Sequence, residues 1–368
     1  MTGRPKGHEG STDKDEDVQR VEMMQPERRE KYGSKEESGS TSTSLKDMLS
    51  SYHMQNARIL TFKGESRGEY WDYCNYVDGI ENWSYRGLAG PQFWSDEYPM
   101  CGGKRQSPIN IATAEVKGQY PWTPLRVKDY GKTPKSMTLK NTGHTALVTI
   151  VQHPNPSILG GDLSGTYAFV QFQFHWGTND TSGSEHTIDG NRFQGELHLV
   201  HYKTAYGSLV KAMNHEDGLA VLAIFLSVGP KHNPKFNKLF KGLAKVHYAD
   251  TQKQIKRFPL KHLLPTFVNT FYRYKGSMTY PPCLENTVWT IFKDPVTISA
   301  NQLTRFRKLT DDRGKPLKSN FRPVQPGSLM VMGGREAPFW LYHGKQVSLV
   351  FSYLSLLSRY LCLWSSLI

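Results

Sequence analysis

The sequence predicts a mainly β (α+β) fold with few and short helices. Between Leu125 and Phe225, apolar residues alternate with polar ones in short runs that Gly, Asn and Pro separate. This alternation is typical of β-strands. Helical spacing of apolar residues is convincing only over residues 234–246. The composition, with 38% hydrophobic, 12% aromatic and 21% charged residues, is that of a globular chain and excludes disorder over the whole length.

Composition divides the chain into three regions. Residues 1–65 are poor in aromatics and rich in Ser, Thr, Gly and mixed charge, so we predict a disordered polar N-terminal tail. Aromatic residues become frequent from Tyr70, and residues 70–326 are predicted to form one folded domain. Residues 327–368 form an atypical C-terminal tail, whose last part, 347–368, is strongly apolar.

The two ends of the chain are where a signal peptide or a membrane anchor would be expected. Residues 1–30 contain no apolar stretch, so no signal peptide is visible at the given start. The apolar segment 347–368 is long enough to span a bilayer, but Arg359 interrupts it. Two interpretations stay open for this segment, namely a membrane anchor and an aberrant terminus.

Positive charge is concentrated in residues 231–262. The chain has 46 Lys and Arg against 33 Asp and Glu, a net charge of +13. Apolar residues at helical spacing predict the buried stripe of an amphipathic helix, and we interpret the lysines between them as its solvated face. No RNA- or DNA-binding signature accompanies them, so no nucleic-acid partner is predicted. The apolar residues are Phe236, Leu239, Phe240, Leu243 and Val246.

Two short segments carry histidines in a period-two alternation. Gln173 and His175 share one face of the first predicted strand, and Glu196 and His198 share one face of the second. Neighbours on one strand face lie about 7 Å apart, so two adjacent strands can direct three side chains at one ion. This suggests a zinc ion with three protein ligands and a fourth position for water. The residues alone leave open that the histidines are hydrogen-bonded core residues.

Short motifs follow one another in a fixed order between residues 83 and 326. They are Trp83-Ser84-Tyr85, Gly90-Pro91-Gln92-Phe93-Trp94, Gln106-Ser107-Pro108-Ile109-Asn110-Ile111, Asn141-Thr142-Gly143-His144, Phe174-His175-Trp176-Gly177, Gly183-Ser184-Glu185-His186, Glu196-Leu197-His198-Leu199-Val200-His201, Gly276-Ser277-Met278-Thr279-Tyr280-Pro281-Pro282 and Asn320-Phe321-Arg322-Pro323-Val324-Gln325-Pro326. In this order the sequence resembles the α-carbonic anhydrases of the secreted or membrane-associated type. The resemblance implies a central twisted, mostly antiparallel sheet with a metal at the base of a conical cavity.

The resemblance also implies a function and a metal site. The implied reaction is the reversible hydration of carbon dioxide to bicarbonate and a proton, with Zn²⁺ as cofactor. His175 and His198 match two zinc ligands, and Gln173 stands where the family has the third ligand, a histidine. Glu196 would orient His198, and Gln171 would be the partner of the residue at position 173.

Further residues match the family's catalytic and substrate positions. Thr279 would hold its proton towards Glu185, and His144 matches the proton shuttle, since an imidazole titrates near neutral pH. The expected apolar pocket for carbon dioxide is lined by Val200, Val221, Met278, Tyr280 and Trp289. Tyr280 replaces a smaller residue and is expected to narrow this pocket.

The glutamine at position 173 leaves two functional interpretations. A neutral amide oxygen is a weaker zinc donor than an imidazole nitrogen, so the first interpretation is a zinc enzyme with reduced activity. The second is a catalytically inactive carbonic anhydrase-related module that binds an extracellular or matrix protein partner. The sequence favours retained activity, because only one chemical position departs from the family's pattern.

The cysteines indicate the compartment. By resemblance, Cys101 and Cys283 form the disulfide of the secreted and membrane-bound members, although two reduced thiols are the alternative. A disulfide persists in oxidising surroundings, which predicts secretion or the extracellular face of a membrane. Asn82 and Asn179 fit the N-glycosylation pattern and agree with this prediction.

Overall fold

The computed structural model describes residues 83–118, 123–326 and 332–334. The predicted N-terminal tail, Asn82 and the apolar segment 347–368 lie outside the described residues. Within them the structure is mostly β, with a large twisted sheet and a few short helices, so the predicted fold class is confirmed. A helix with the length and apolarity needed to cross a membrane does not occur in this part of the chain.

The strands and helices are short and numerous. The strands are β1 Asn110–Ile111, β2 Lys117–Gly118, β3 Arg126–Lys128, β4 Ser136–Asn141, β5 Ala146–Val151, β6 Ser157–Leu159, β7 Tyr167–Trp176, β8 Thr187–Ile188, β9 Asn191–Arg192, β10 Gly195–Lys203, β11 Leu219–Gly229, β12 Gln252–Gln254, β13 Phe271–Gly276, β14 Thr287–Phe292, β15 Val296–Ser299 and β16 Met332–Gly334. The α-helices are α1 Trp94–Glu97, α2 Leu209–Ala212, α3 Asn237–Leu243 and α4 Ala300–Thr304. The 3₁₀ helices are Gly87–Ala89, Pro91–Phe93, Pro99–Gly102, Thr113–Glu115, Thr204–Tyr206, Pro234–Phe236, Leu260–Leu263 and Phe306–Lys308.

One sheet contains most of these strands. Its described strands follow the order β12-β4-β5-β7-β10-β11-β14-β13-β16-β2, while β15 pairs with β11 and β6 pairs with both β3 and β7. Most neighbours are antiparallel, and the pairs β11–β14, β11–β15 and β16–β2 are parallel. A separate small sheet has the order β1-β8-β9. The sheet is therefore mixed, with the antiparallel majority that the sequence predicts.

Strand β7 lies in the middle of the sheet and is buried over its whole length. Phe172, Phe174 and Trp176 belong to the larger hydrophobic cluster, which also receives the apolar side of α3. Residues 171, 173 and 175 point the other way, because successive side chains of a strand alternate between its faces. The opposite face of the sheet therefore carries the polar residues of β7.

The predicted helix over residues 234–246 is shorter in the structure. A 3₁₀ turn precedes α3, which ends at Leu243. Leu239, Phe240 and Leu243 are buried, and the lysines of α3 are exposed, so the interpretation of a solvated lysine face is confirmed. Gly242 permits close packing, since a Cβ atom there would lie 2.4 Å from Cγ2 of Ile255.

Candidate metal centre

The register between β7 and β10 brings the predicted metal residues together. His198 lies opposite Gln173, and Glu196 lies opposite His175. Residues directly opposite one another in an antiparallel pair point to the same face, so the four side chains form one block. All four are buried. The structure thus juxtaposes Gln173, His175 and His198, which sequence reasoning had grouped from alternation and resemblance.

Hydrogen bonds fix the proton position on both imidazoles. Nδ1 of His175 lies 2.8 Å from the carbonyl oxygen of Asn320, which only accepts, so Nδ1 carries the proton. Nε2 of His175 is buried and has no hydrogen-bond partner in the described structure. Nε2 of His198 donates to Oε1 of Glu196 at 2.6 Å, which leaves the lone pair on Nδ1. With ring centroids 4.5 Å apart, the two rings offer neighbouring lone pairs.

Burial keeps both rings neutral. Burial first, and then the neighbouring His198, lower the pKa of His175 to about 3. Burial also lowers the pKa of His198 below its usual value, although Glu196 opposes this shift. A neutral imidazole is the form that binds a metal ion, so the two side chains are ready for this role.

Glu196 accepts hydrogen bonds from two histidines of the site and from the backbone. Its Oε1 accepts hydrogen bonds from His198 and from Nδ1 of His186, and its Oε2 accepts the backbone N–H groups of Glu185 and His186 at 2.9 Å. Burial alone would raise the pKa of Glu196, but His186 and these hydrogen bonds hold it well below its usual range. An ionised, fully bonded Glu196 is placed to orient His198, as the resemblance implies.

Glu185 lies beside both rings. Its Oε1 is 3.5 Å from Nδ1 of His175, and its Oε2 is 3.8 Å from Nδ1 of His198. Burial, followed by repulsion from Glu196, raises the pKa of Glu185 well above its usual value, while the hydrogen bond from the backbone of Arg322 and the nearby side chain of Thr279 act in the opposite direction. Thr279 is close enough to influence Glu185, and the hydrogen bond between the two side chains stays a prediction. His175, Glu185 and His198 together have donor atoms within 4.8 Å of one another.

The amide of Gln173 already has a neighbour. Its Oε1 accepts a hydrogen bond from Nε2 of Gln171 at 3.4 Å. The predicted partnership between these two positions is therefore present, with the amide oxygen of residue 173 as the acceptor. This oxygen is also the atom that could bind a metal, and the hydrogen bond takes up one of its two lone pairs.

Aromatic rings hold the predicted proton shuttle. His144 is buried and stacks on Trp83 with ring centroids 3.9 Å apart. Tyr280 lies nearly parallel to the same indole at 6.1 Å. The predicted pocket residues lie in one hydrophobic cluster with Trp83, and this cluster contains Val200, Val221, Met278, Tyr280 and Trp289.

Sequence reasoning missed two contributors to the site. His186 bridges Glu196 and the hydroxyl of Tyr274, with hydrogen bonds of 2.7 Å on both ring nitrogens. Asn320 binds His175 through its backbone and the N–H of Trp176 through its side chain. Both residues occur in the motifs of the sequence, but no local pattern indicates that they reach β7 and β10.

The predicted disulfide and the predicted glycosylation site differ in outcome. Cys101 and Cys283 form a disulfide, as the resemblance implies. Asn179 is exposed, with its Oδ1 accepting hydrogen bonds from Thr181, and its glycosylation stays a prediction.

Another buried histidine gives the fold a defined acid sensitivity. His201 donates from Nδ1 to the carbonyl of Ala220, so its Nε2 accepts from the hydroxyl of Tyr130. Burial lowers the pKa of His201 to about 3, whereas an unfolded histidine titrates near pH 6.5. Between these two pH values the unfolded chain therefore binds more protons than the folded chain. The contribution of neutral His201 to the free energy of unfolding is complete above about pH 6.5 and is lost as the pH falls towards 3.

We expect His201→Gln to make the free energy of unfolding depend less steeply on pH. Urea unfolding between pH 7 and pH 4 should show the free energy of unfolding falling less steeply in the variant, by up to about 1.4 kcal/mol per pH unit, or one proton. The exposed His153 provides the control, since His153→Gln should leave the slope unchanged. If the free energy of unfolding falls equally steeply with pH in His201→Gln and in the wild-type protein, His201 does not have the lowered pKa assigned to it.

Comparison with known protein families agrees with the geometry. The family model described as eukaryotic-type carbonic anhydrase matches residues 89–329. The match contains the block on β7 and β10, Glu185, Thr279 and both disulfide cysteines. Because it spans more than half of the 368 residues, the chain belongs to the carbonic anhydrase family.

Proposed function

We propose that the protein catalyses the reversible hydration of carbon dioxide to bicarbonate and a proton, more slowly than a relative with three histidine ligands. The observation that carries the proposal is the buried, unpartnered Nε2 of His175 beside the ring of His198. An orphaned polar atom in a buried site costs free energy, and a ligand for its lone pair removes that cost. Zn²⁺ is the ion that this family implies.

The donor set fits zinc with one weakness. His175 and His198 supply two neutral nitrogen donors, which zinc accepts readily. Gln173 supplies an amide oxygen, which is neutral and already hydrogen-bonded to Gln171. When bound, zinc lowers the pKa of a coordinated water so that it becomes a nucleophile near neutral pH. We expect the amide donor to reduce the affinity for zinc and the rate of hydration.

The surrounding residues have separate tasks in this proposal. Thr279 would donate its hydroxyl hydrogen to Glu185 and so direct its oxygen to accept a hydrogen bond from the reacting water. A bound cation would lower the raised pKa of Glu185 again, because a nearby positive charge favours the carboxylate. His144 carries the released proton to solvent, and the apolar cluster around Val221 receives carbon dioxide and keeps out other water.

Metal analysis and stopped-flow hydration assays test the proposal. The full chain, loaded with Zn²⁺ and freed of excess metal, should retain the ion and hydrate carbon dioxide faster than a buffer blank. His175→Ala should lose both properties, because it removes the orphaned donor. The matched control is His247→Ala, since this histidine is exposed and lies outside the strands that carry the metal residues. Retention of zinc and activity by His175→Ala would refute the metal site.

A second function is supported by the same glutamine. If the hydrogen bond between Gln171 and Gln173 keeps the amide from the metal, the chain is an inactive relative that binds an extracellular protein. For either function we infer secretion or the extracellular face of a membrane, supported by the Cys101–Cys283 disulfide. Anchoring through the segment 347–368 is part of this proposal.

A further inference from the structure

The exposed edge of the sheet at β12 carries a cleft rich in positive charge. The cleft measures about 400 Å³ and lies between α3 and the start of β4. Its lining includes four cationic side chains and, within the described residues, no acidic one. We call it the basic cleft, and its cations are Lys135, Lys238, Lys256 and Arg257.

Backbone hydrogen bonds hold the cations of the basic cleft together. Nη1 of Arg257 donates to the carbonyls of Pro134 and Lys135 at 3.3 and 3.2 Å. Nζ of Lys238 donates to the carbonyl of Arg257 at 2.8 Å. These bonds fix two of the charges in place. Two of the four exposed cations are therefore held in fixed positions by the fold.

The described part of the chain does not neutralise the positive charge of the basic cleft. None of the four cations forms an ion pair in the part of the chain that the structure describes. Asp250 is the only acid among residues 231–262, and it pairs with Lys140 at 3.3 Å. The positive charge also acts on the half-buried His262. Burial first, and then Lys235, Lys261 and Lys238, lower its pKa.

The dimensions of the basic cleft allow the charges to act together. The four cations line one cleft of about 400 Å³, and charges closer together than the screening length of about 8 Å at physiological salt act together. An anion in the cleft would therefore experience all four charges. A polymer with regularly repeated anionic groups gains most from such an arrangement, because each contact releases counterions.

The lining identifies the class of polyanion. It contains no aromatic ring on which a base could stack, as single-stranded nucleic acids require. Its apolar members, Met137 and Ile255, are buried in the floor, so no apolar side chain of the lining is available for insertion into a bilayer. The remaining lining, Ser136 and Gln254, is polar and suits hydroxyl and sulfate groups.

We propose that the basic cleft binds a sulfated polysaccharide. The Cys101–Cys283 disulfide agrees with this, since it indicates an oxidising extracellular setting in which such polymers occur. The site is separate from the candidate metal centre, because β12 is three strand spacings from β7, about 14 Å. Binding should therefore leave the metal centre accessible.

Heparin is the probe for this site. Titration of the full chain with heparin at several salt concentrations should give an affinity that falls steeply with salt. In the variant Lys135→Gln/Lys238→Gln/Lys256→Gln/Arg257→Gln, affinity at physiological salt should fall about 30-fold or more, and the salt slope should fall by about four. The matched control is Lys104→Gln/Lys117→Gln/Lys211→Gln/Lys275→Gln, which removes the same charge from other exposed positions and should change affinity less than about threefold.

A smaller variant separates binding from folding. Lys135 and Lys256 make no side-chain hydrogen bond among the described residues, so Lys135→Gln/Lys256→Gln should fold normally and reduce the salt slope by about two. Desulfated heparin should bind more weakly than heparin. Equal losses in the cleft and control variants would overturn the proposal, as would absence of heparin binding. Equal or tighter binding of single-stranded DNA, or of phosphatidylserine vesicles, through the same lysines would also overturn it.

Discussion

Replacement of Gln173 by histidine should raise the rate of carbon dioxide hydration by the zinc-loaded protein at least about 10- to 100-fold. Losing even an indirect partner of a metal ligand typically costs this factor, and position 173 is a direct ligand in our proposal. The substitution restores a nitrogen donor on the same face as His175 and opposite His198. Gln171 is already adjacent and can fix the orientation of the new ring.

Two measurements check this expectation. Stopped-flow hydration gives the rate, and competition with a chelator gives the zinc affinity, which should rise together with the rate. Gln92→His is the matched control, because Gln92 is exposed and lies on the 3₁₀ helix Pro91–Phe93, outside the strands that carry the metal residues, so that a new histidine there should change neither quantity.

The outcome also decides between the two proposed functions. If the zinc-loaded wild-type protein matches the buffer blank and Gln173→His is active, the chain is the inactive binding module. If both are active and the variant is faster, the weakened enzyme is supported. If neither protein retains zinc, the assignment of the metal centre itself is wrong.

Removal of the Cys101–Cys283 disulfide should lower the free energy of unfolding by about 2–5 kcal/mol. The two cysteines are 182 residues apart in sequence, so the bond restricts a long loop of the unfolded chain. Both lie in the hydrophobic cluster with Met278 and Tyr280. Their loss should therefore also loosen the segment that carries Thr279.

Urea unfolding of Cys101→Ala/Cys283→Ala against the wild-type protein measures the effect. A reducing agent supplies the control, because it should bring the wild-type protein close to the variant and leave the variant unchanged. A difference below about 1 kcal/mol would show that the bond contributes little to the folded state.

Much of the candidate site could be predicted from local alternation. The period-two pattern placed Gln173 with His175 and Glu196 with His198, because strand geometry determines which residues share a face. It could not determine which residue of one strand lies opposite which residue of the next. That depends on the register, which the whole sheet and its core establish together.

Contacts between distant segments could not be predicted. Glu185 approaches both imidazoles, yet it belongs to the connection between β7 and β10, whose path no periodic pattern describes. Asn320 reaches His175 across 145 residues of sequence. The end of α3 was also misjudged, since apolar spacing continued to Val246 while the backbone had already left the helix.

The position of Asn320 has a consequence for the order in which a nascent chain can assemble its metal centre. Asn320 binds His175 and Trp176, and Arg322 binds Glu185 through its backbone. Until the ribosome has released this late segment, β7 and β10 can pair, but the His175 ring lacks the acceptor that keeps its proton on Nδ1. If the site binds zinc as we propose, acquisition of the ion with the correct geometry is therefore expected late in biosynthesis, close to completion of the domain.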